Sequence, residues 1–600
     1  MPPRPRTYTW EWWFDATPSK VWPLVADTNR LDRLAGLPAA TYAHRAAPGK
    51  DHVLDVRQTF GGFTMNYVED PYEWVEDERY SVERRFTSGP VTAFRWRVSL
   101  VPEARGTKVV AQMTVEPRSK LSAWLVPVMA KNAKKGLDRA FRTLEGETRG
   151  GRVDLPPTRA VATKVLARLA RAGASIPADV ATRLADHLAC ADASDLRRVR
   201  PFALADAWKR PRREVLAAFL HAVRAGVLEL HWEPLCPHCR SSEHPARTLT
   251  EVRSTNRCDA CGIDFDVEFD RSLEAVFRPA ADLRRIGPEI YCLGGPGNTP
   301  HVVAQARVPA NGEVRLEVAL EAGAHRVRGG RREGAVVVHV EDGQAHATSA
   351  AFVVGERGVT ASGTTLSRGR VTLSLRNDAP TEGVVVVERV RWLDDVVTAL
   401  DVVGVPGFQD LFADEVLAPG ERVAVRRISI LFTDLKGSTA IYRRMGDAPA
   451  YALVRAHFEV LRQAIARRDG ILVKTIGDAV MASFRSPADA IAAAVDMHRA
   501  VAALPTPEGT PALVLKAGVH EGPAIAVTSG GRLDFFGTTS NLAARAQHES
   551  HGGDVVATED VLADADVRRL LADVPHRNEP FRARLKGFDD EVPLHRVVLG

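Results

Sequence analysis

No single hydrophobic core can organise 600 residues, so this chain must divide, into roughly three to five domains. At 45% hydrophobic and 26% charged residues it has an ordinary globular make-up. Its 80 Lys and Arg exceed its 75 Asp and Glu by five, a bulk charge that demands neither a nucleic acid nor an anionic membrane. The most apolar run near the N-terminus, Leu121 to Ala130 between Lys120 and Lys131, is too short to cross a bilayer as a helix. The opening MPPRPRTYTW lacks the apolar core of a signal peptide. The expectation is a cytoplasmic protein with no membrane partner and no nucleic acid.

Pattern and punctuation divide the chain into five stretches. Residues 1–147 mix strands, such as Tyr8–Phe14 and the alternating Phe94–Leu100, with one long helix over 119–146. On that helix Leu121, Leu125, Val128, Leu137, Phe141 and Leu144 recur mostly at helical spacing, and Pro127 is expected to bend its first turns. A Gly/Pro-rich linker follows at 147–158. Residues 159–230 are helical and basic, with 14 Lys and Arg against 8 Asp and Glu between Arg152 and Leu230. Residues 231–275 hold two cysteine pairs. Residues 288–395 carry β-branched runs between Gly and Asn turns, the pattern of a β-sandwich. A loop containing Pro406, Pro419 and Gly420 leads into residues 426–600.

The last stretch carries the chemistry. In RRISILFTDLKGST a buried strand, Ile428 to Phe432, runs into Asp434 and then a turn of small residues. A carboxylate at a strand end is held rigidly at the sheet edge. Gly437, Ser438 and Thr439 leave backbone N–H groups to face phosphate at the start of the next helix. By itself such a pattern is more often a helix N-cap. In ILVKTIGDAVMASF, residues 471–484, Gly477-Asp478 forms the tight turn of a hairpin, and a turn Asp is ordinarily only a turn former. Beside the Asp434 strand, however, two carboxylates at adjacent strand ends can hold two magnesium ions. In RLDFFGTTSNLAARAQ, residues 532–547, Asn541 and Arg545 share one helical face, where the arginine can meet charge on a phosphoryl group.

These three segments, in this order, resemble the signature segments of class III adenylate/guanylate cyclase catalytic domains. The resemblance covers roughly residues 426–595 and implies a ferredoxin-like α/β domain. It implies that Asp434 and Asp478 bind two Mg2+ (or Mn2+), with the backbone carbonyl of Leu435 as a further ligand. It matches Lys474 and Asp534 to the base-selecting pair, Asn541 to the ribose-orienting residue and Arg545 to the transition-state arginine. More loosely, it matches Lys586 in RLKGF to the triphosphate-binding lysine. A lysine donor and an aspartate acceptor complement the N1 and N6 of adenine, whereas guanine presents the reverse arrangement, so ATP is the expected substrate. The family builds its sites between two subunits, and one chain here holds both halves, which implies a head-to-tail homodimer. Ala479 after Asp478, where the family often has Gly, and the PAIAVTSGGR stretch depart from the family pattern.

Residues 1–147 resemble the START-like (SRPBCC) helix-grip fold, which encloses an apolar cavity. Trp10, Trp12, Trp13 and Trp22 could line a site for a small hydrophobic ligand there, although such aromatics are more often plain core. Cys236-x2-Cys239 and Cys258-x2-Cys261, 18 residues apart, have zinc-ribbon spacing, and four thiolates close a structural Zn2+ site. Cys190 and Cys292 are expected to be buried without such a role. The helices before the ribbon resemble a winged helix, with Val215, Phe219, Leu220 and Val223 inward. The whole is expected to be a multidomain α+β protein. The competing readings are a catalytically silent cyclase-like sensor or scaffold, and a nucleic-acid-binding regulator.

Overall fold

The computed structural model describes residues 4–600 apart from 48–49, 61, 150–158, 174–175, 243–244, 260, 288, 331–333, 344–345, 356–357, 392–394, 406–407, 413–414, 419, 439–442, 444–445, 506–512 and 530–531. The expected linker at 147–158 therefore lies mostly outside the described residues, as do Pro406 and Pro419. The chain is a mixed α+β protein.

The N-terminal part runs β1 (Arg6–Phe14), α1 (Pro18–Ala26), α2 (Thr28–Leu34), β2 (Ala40–Ala47), β3 (Lys50–Phe60), β4 (Phe63–Glu69), β5 (Glu73–Val75), β6 (Arg79–Phe86), β7 (Val91–Glu103), β8 (Gly106–Pro117) and α3 (Lys120–Thr148). Antiparallel pairing in the order β1-β8-β7-β6 builds a sheet that grips α3. Ser119 starts α3 with a reciprocal cap: its hydroxyl accepts from the Ser122 N–H at 3.1 Å, and the Ser122 hydroxyl accepts from the Ser119 N–H at 2.8 Å. Trp12 stacks on Phe141 at 4.1 Å and donates to Asp138 at 2.9 Å. Trp22 packs on Tyr80. Trp10 and Trp12 face the helix side, but Trp13 is exposed, because successive strand residues point to opposite faces.

The apolar residues of α3 do not share the single face that their spacing suggests. Leu137, Phe141 and Leu144 are buried, whereas Leu121, Leu125 and Val128 are exposed. Val128 and Leu137 are nine residues apart, about two and a half turns, which puts them on opposite sides of the helix. The side that grips the sheet in the first turns is Ser122, Val126 and Ala130. The helix continues through Pro127.

Among the described residues of 159–224 are five helices, α4–α8, ending with α8 (Arg212–Arg224). Val215, Phe219 and Leu220 of α8 are buried, and Val223 is half-buried. Strands β9 (Leu228–Pro234) and β12 (Leu273–Pro279) pair antiparallel beside these helices. The cysteine pairs lie on the excursion between β9 and β12, the second pair on the small hairpin of β10 (Thr255–Cys258) and β11 (Ile263–Asp266). The knuckles are thus an insertion between two paired strands, a long-range pairing that spacing along the chain does not reveal.

Among the described residues, nine strands, β13–β21, lie between Val302 and Arg389 in two sheets that share one apolar cluster. The first of them, β13 (Val302–Val308), also pairs with β5, so a single sheet runs from the N-terminal part into this one. Cys292 is buried against Tyr72, whereas Cys190 is only half-buried, contrary to expectation.

After α9 (Ala399–Val403) and α10 (Phe408–Leu411) comes β22 (Val423–Leu435), then α11 (Asp447–Arg467), β23 (Ile471–Ile476), β24 (Ala479–Phe484), α12 (Pro487–Ala502) and β25 (Leu515–Ser529). This is the β-α-β-β-α-β order of a ferredoxin-like fold, in a sheet ordered β23-β24-β22-β25. It continues through β26 (Arg532–Phe536), α13 (Thr538–Glu549), β27 (Asp554–Thr558), α14 (Glu559–Ala563), α15 (Ala565–Ala572), β28 (His576–Ala583) and β29 (Val592–Leu599). Helices α11 and α12 cover one face with Leu461, Ile465, Ile491 and Val495. The other face joins the cluster of α8, α9 and β12, and the Arg485–Asp401 and Arg213–Asp469 ion pairs fasten the two parts together.

His498 on α12 is 9% exposed, and burial lowers its pKa to about 4. The unfolded chain takes up this proton near pH 6.5, so stability is complete above that value and falls as pH drops from 6.5 towards 4. Between pH 7 and 5.5, wild type is expected to lose about 1 kcal/mol more than His498→Gln. Urea denaturation of both proteins at the two pH values measures this, and identical losses would refute it.

Candidate active site

Strand register brings the two sequence-predicted aspartates together. Thr433 stands opposite Val480, so Asp434, one residue on, comes level with the turn holding Asp478. On its other side Asp434 stands opposite Lys516 of β25. Burial, and next the charge of Asp478, raise the Asp434 pKa, while Lys516 opposes the shift. One carboxylate oxygen of Asp478 is buried with no hydrogen-bond partner. An anionic oxygen taken from water and given no donor is costly. Two such carboxylates, one of them orphaned, have the chemistry of a divalent-cation site, so the residues present fit the magnesium or manganese pair. Leu435 is buried at the end of β22. Gly437 adopts φ +73°, the left-handed conformation that glycine takes without cost, and Ser438 follows it. Thr439 lies outside the described residues.

The base-selecting candidates are also joined. Lys474 of β23 donates to the Asp534 carboxylate of β26 at 2.6 Å, and the other Asp534 oxygen accepts from the Phe535 N–H at 2.8 Å. Asp534 is buried and Lys474 half-buried. The Lys474 ammonium also lies 5.0 Å from the centre of the Phe536 ring, a cation–π contact that helps fix its direction.

Helix α13 carries Asn541, which is exposed, and Arg545, which is half-buried, one turn apart on the side away from Leu542, Ala543 and Ala546. The helix lies very close to β25: a Cβ on Gly518 would stand 2.1 Å from the Gln547 backbone nitrogen, so glycine at 518 permits this approach. Lys586 is exposed on the turn between β28 and β29, and its neighbour Leu585 packs on Leu542 and Ala546 of α13.

Sequence reasoning overlooked three neighbours. Lys516 is visible only through its register opposite Asp434. Phe536 lies close to Asp534 in the sequence, but only the fold sets its ring against Lys474. His457 of α11 is fully buried. Burial lowers its pKa to about 4, against the opposing charge of Asp478. No local pattern in α11 marks it.

The four cysteine sulfurs lie within 4.8 Å of one another. Cys236, Cys258 and Cys261 are buried, and Cys239 is half-buried. The His238 N–H points at Cys236 Sγ and the Cys261 N–H at Cys258 Sγ, each at 3.4 Å. The cluster can hold a metal ion. Arg326 donates to the Pro237 carbonyl at 2.8 Å, and His301 Nε2 lies 2.8 Å from the His238 carbonyl. The knuckle is thereby clamped to the β13–β21 sheets.

Residues 422–579 match the family model described as adenylate and guanylate cyclase catalytic domain. Residues 13–148 match polyketide cyclase/dehydrase and lipid transport, and residues 162–289 match a family of unknown function. The chain thus carries a class III nucleotidyl cyclase domain towards its C-terminus and an SRPBCC domain towards its N-terminus. The third model spans the helical segment and both cysteine pairs together.

Among curated proteins, the chain is similar to receptor-type adenylate cyclase A of Leishmania donovani, 29% identical over 173 residues, covering 22% of this chain and 12% of that protein. It is also similar to the adenylate cyclase of Lachancea kluyveri, 28% identical over 177 residues, covering 26% of this chain and 10% of that protein. The match thus spans 12% and 13% of the length of the first two curated relatives. A solved adenylate cyclase structure from Trypanosoma brucei is 21% identical with a TM-score of 0.26, covering 28% of this chain and 89% of that one. No described helix is long and apolar enough to cross a membrane.

Proposed function

We propose that this chain is an adenylate cyclase that converts ATP to 3′,5′-cyclic AMP and pyrophosphate in sites shared between two copies. The observation that carries the reading is the pairing of Asp434 and Asp478 at adjacent strand ends, with a buried Asp478 oxygen left without a donor. A pair of divalent cations held there would lower the pKa of the ribose 3′-hydroxyl and neutralise phosphate charge. Lys474 donates to adenine N1 and Asp534 accepts from its amino group. Asn541 orients the ribose. Arg545 meets the charge that grows on the α-phosphoryl as the 3′-oxygen bonds to phosphorus and pyrophosphate departs. The N–H groups of Gly437, Ser438 and Thr439 and the Lys586 ammonium hold the phosphate chain.

Further parts of the proposal are a structural zinc ion on the four cysteines, a head-to-tail homodimer through the cyclase domain, and regulation by the upstream domains. The division at 1–147, 159–230, 231–275, 288–395 and 426–600, a cytoplasmic location and a small hydrophobic ligand in the N-terminal domain belong to it too. The packing of α8, α9 and β12 on the cyclase sheet supports regulation from upstream.

The test is product formation by the full-length protein given ATP or GTP with magnesium or manganese. Cyclic AMP is expected in excess of cyclic GMP. Lys474→Ala and Asp534→Ala are each expected to lower kcat/KM for ATP by about tenfold or more, the worth of one charged hydrogen bond to the base. Cyclic GMP as the main product would overturn the substrate assignment. No product under any condition would favour the silent-scaffold reading.

A further inference from the structure

The first turns of α3 carry two apolar stripes on opposite sides. One, with Val126 and Ala130, is buried against the sheet. The other, Leu121, Trp124, Leu125 and Val128, faces outward, with Leu121 83% and Trp124 73% exposed. No contact among the described residues calls for a tryptophan and three aliphatic residues on that side, and outward apolar patches of this kind mark interaction sites. The stripe ends where the outward residues become Lys131, Asn132 and Lys135.

The end of the domain is apolar beyond the helix as well. Phe63, at the tip of the β3–β4 hairpin, is 80% exposed. Two residues along, Met65 lies against Gly89 in the β6–β7 turn. Arg118, just ahead of α3, grips that same turn through the Gly89 and Phe86 carbonyls at 2.9 and 2.8 Å. Hairpin tip, turn and helix start therefore lie at one end of the N-terminal domain.

Charge identifies the occupant. From Arg118 to Gly136 the sequence holds Arg118, Lys120, Lys131, Lys134 and Lys135 and no acidic residue. Arg118, Lys120, Lys131 and Lys135 are exposed. A second copy docking here would set two cationic patches face to face, which like-charge repulsion disfavours. A tryptophan and aliphatic side chains ringed by lysines match the interface of an anionic bilayer: the apolar groups enter the acyl boundary while the ammonium groups meet headgroup phosphates and carboxylates.

We propose that the outward stripe of α3, with Phe63, docks this protein peripherally on an anionic lipid surface. The shortness of the Leu121–Ala130 run excludes spanning but not lying in the interface. The inference does not rest on the cyclase reading.

The test is sedimentation of the full-length protein with sucrose-loaded vesicles, either phosphatidylcholine alone or with about 30% phosphatidylserine. Binding is expected to the anionic vesicles, falling several-fold when salt is raised from about 0.1 to 0.5 M. Leu121→Ser with Trp124→Ser is expected to weaken that binding at least tenfold while leaving the circular dichroism spectrum and melting temperature unchanged, because both side chains are exposed. Lys131→Glu with Lys135→Glu is expected to weaken it comparably. Absence of binding to anionic vesicles, or equal binding by wild type and the Leu121/Trp124 variant, would overturn the proposal. So would an oligomer in vesicle-free solution that the Leu121/Trp124 variant dissociates without lipid binding by wild type; that result would assign the stripe to a second copy.

Discussion

Asp434→Ala is expected to reduce cyclic AMP formation by about a thousandfold or more. The carboxylate is one of two that together can hold divalent cations. Removing it withdraws several kcal/mol of transition-state stabilisation, and each 1.36 kcal/mol is about tenfold in rate. Arg545→Ala is expected to fall by a similar factor, because an arginine facing the transferring phosphoryl is worth about a thousandfold or more. In the proposed head-to-tail homodimer the two variants fail in different halves of the site. Mixed and allowed to exchange subunits, they form dimers in which one site draws both of its halves from intact residues. Half the dimers are mixed and each has one good site, so recovery approaching about a quarter of wild-type activity is expected. Activity of the mixture against protein concentration measures this. Inactive singles with no recovery would keep the residues in the site but place both halves within one chain.

Cys258→Ser is expected to produce the largest loss of stability. Wild type is expected to hold about one zinc ion per chain, and a closed tetrathiolate site binds with on the order of 10 kcal/mol that is also folding free energy. Removing one ligand should release the metal and open the excursion between β9 and β12. The clamp that Arg326 and His301 make on the Pro237 and His238 carbonyls should loosen with it. Zinc content by metal analysis, the melting curve and protease sensitivity across residues 236–261 are the readouts. A variant that keeps its zinc and its melting temperature would remove the structural role. Chelation of wild type should reproduce the variant, because both act on the same ion.

The cyclase domain was the most legible part of the sequence because its chemistry sits at strand ends and tight turns, which short patterns reveal. Ile428–Phe432 running into Asp434, Gly477-Asp478 in a hairpin and Asn541 with Arg545 on one helical face are local statements. The structure has each of them on the element read from the sequence. The Lys474–Asp534 contact was expected only as shared recognition of a base, and the direct ion pair adds that each satisfies the other before any nucleotide arrives. Lys516 and His457 were not legible, because what distinguishes them is a register across strands and a burial, neither of which leaves a local mark.

In the N-terminal part, helical spacing correctly marked α3 but merged two stripes into one. A period near 3.6 names a face only if the phase is kept, and Val128 and Leu137 are about half a turn out of phase. Strand alternation likewise turned Trp13 outward while Trp12 stacked on Phe141.

What the sequence alone determined is therefore local and chemical: which segments form strands, helices and turns, which carboxylates end a strand, and which cysteines share a knuckle. These follow from side-chain periodicity, turn conformation and ligand spacing, all of which act within a few residues. Tertiary structure alone decided that β13 extends the N-terminal sheet through β5, that the cysteine knuckles are inserted between β9 and β12, and that α8 and α9 pack on the cyclase sheet. It also decided that Leu121 and Trp124 meet solvent. Each of those depends on which distant strand edge or apolar face is left open once the local elements have formed, and that is settled by packing of the whole chain.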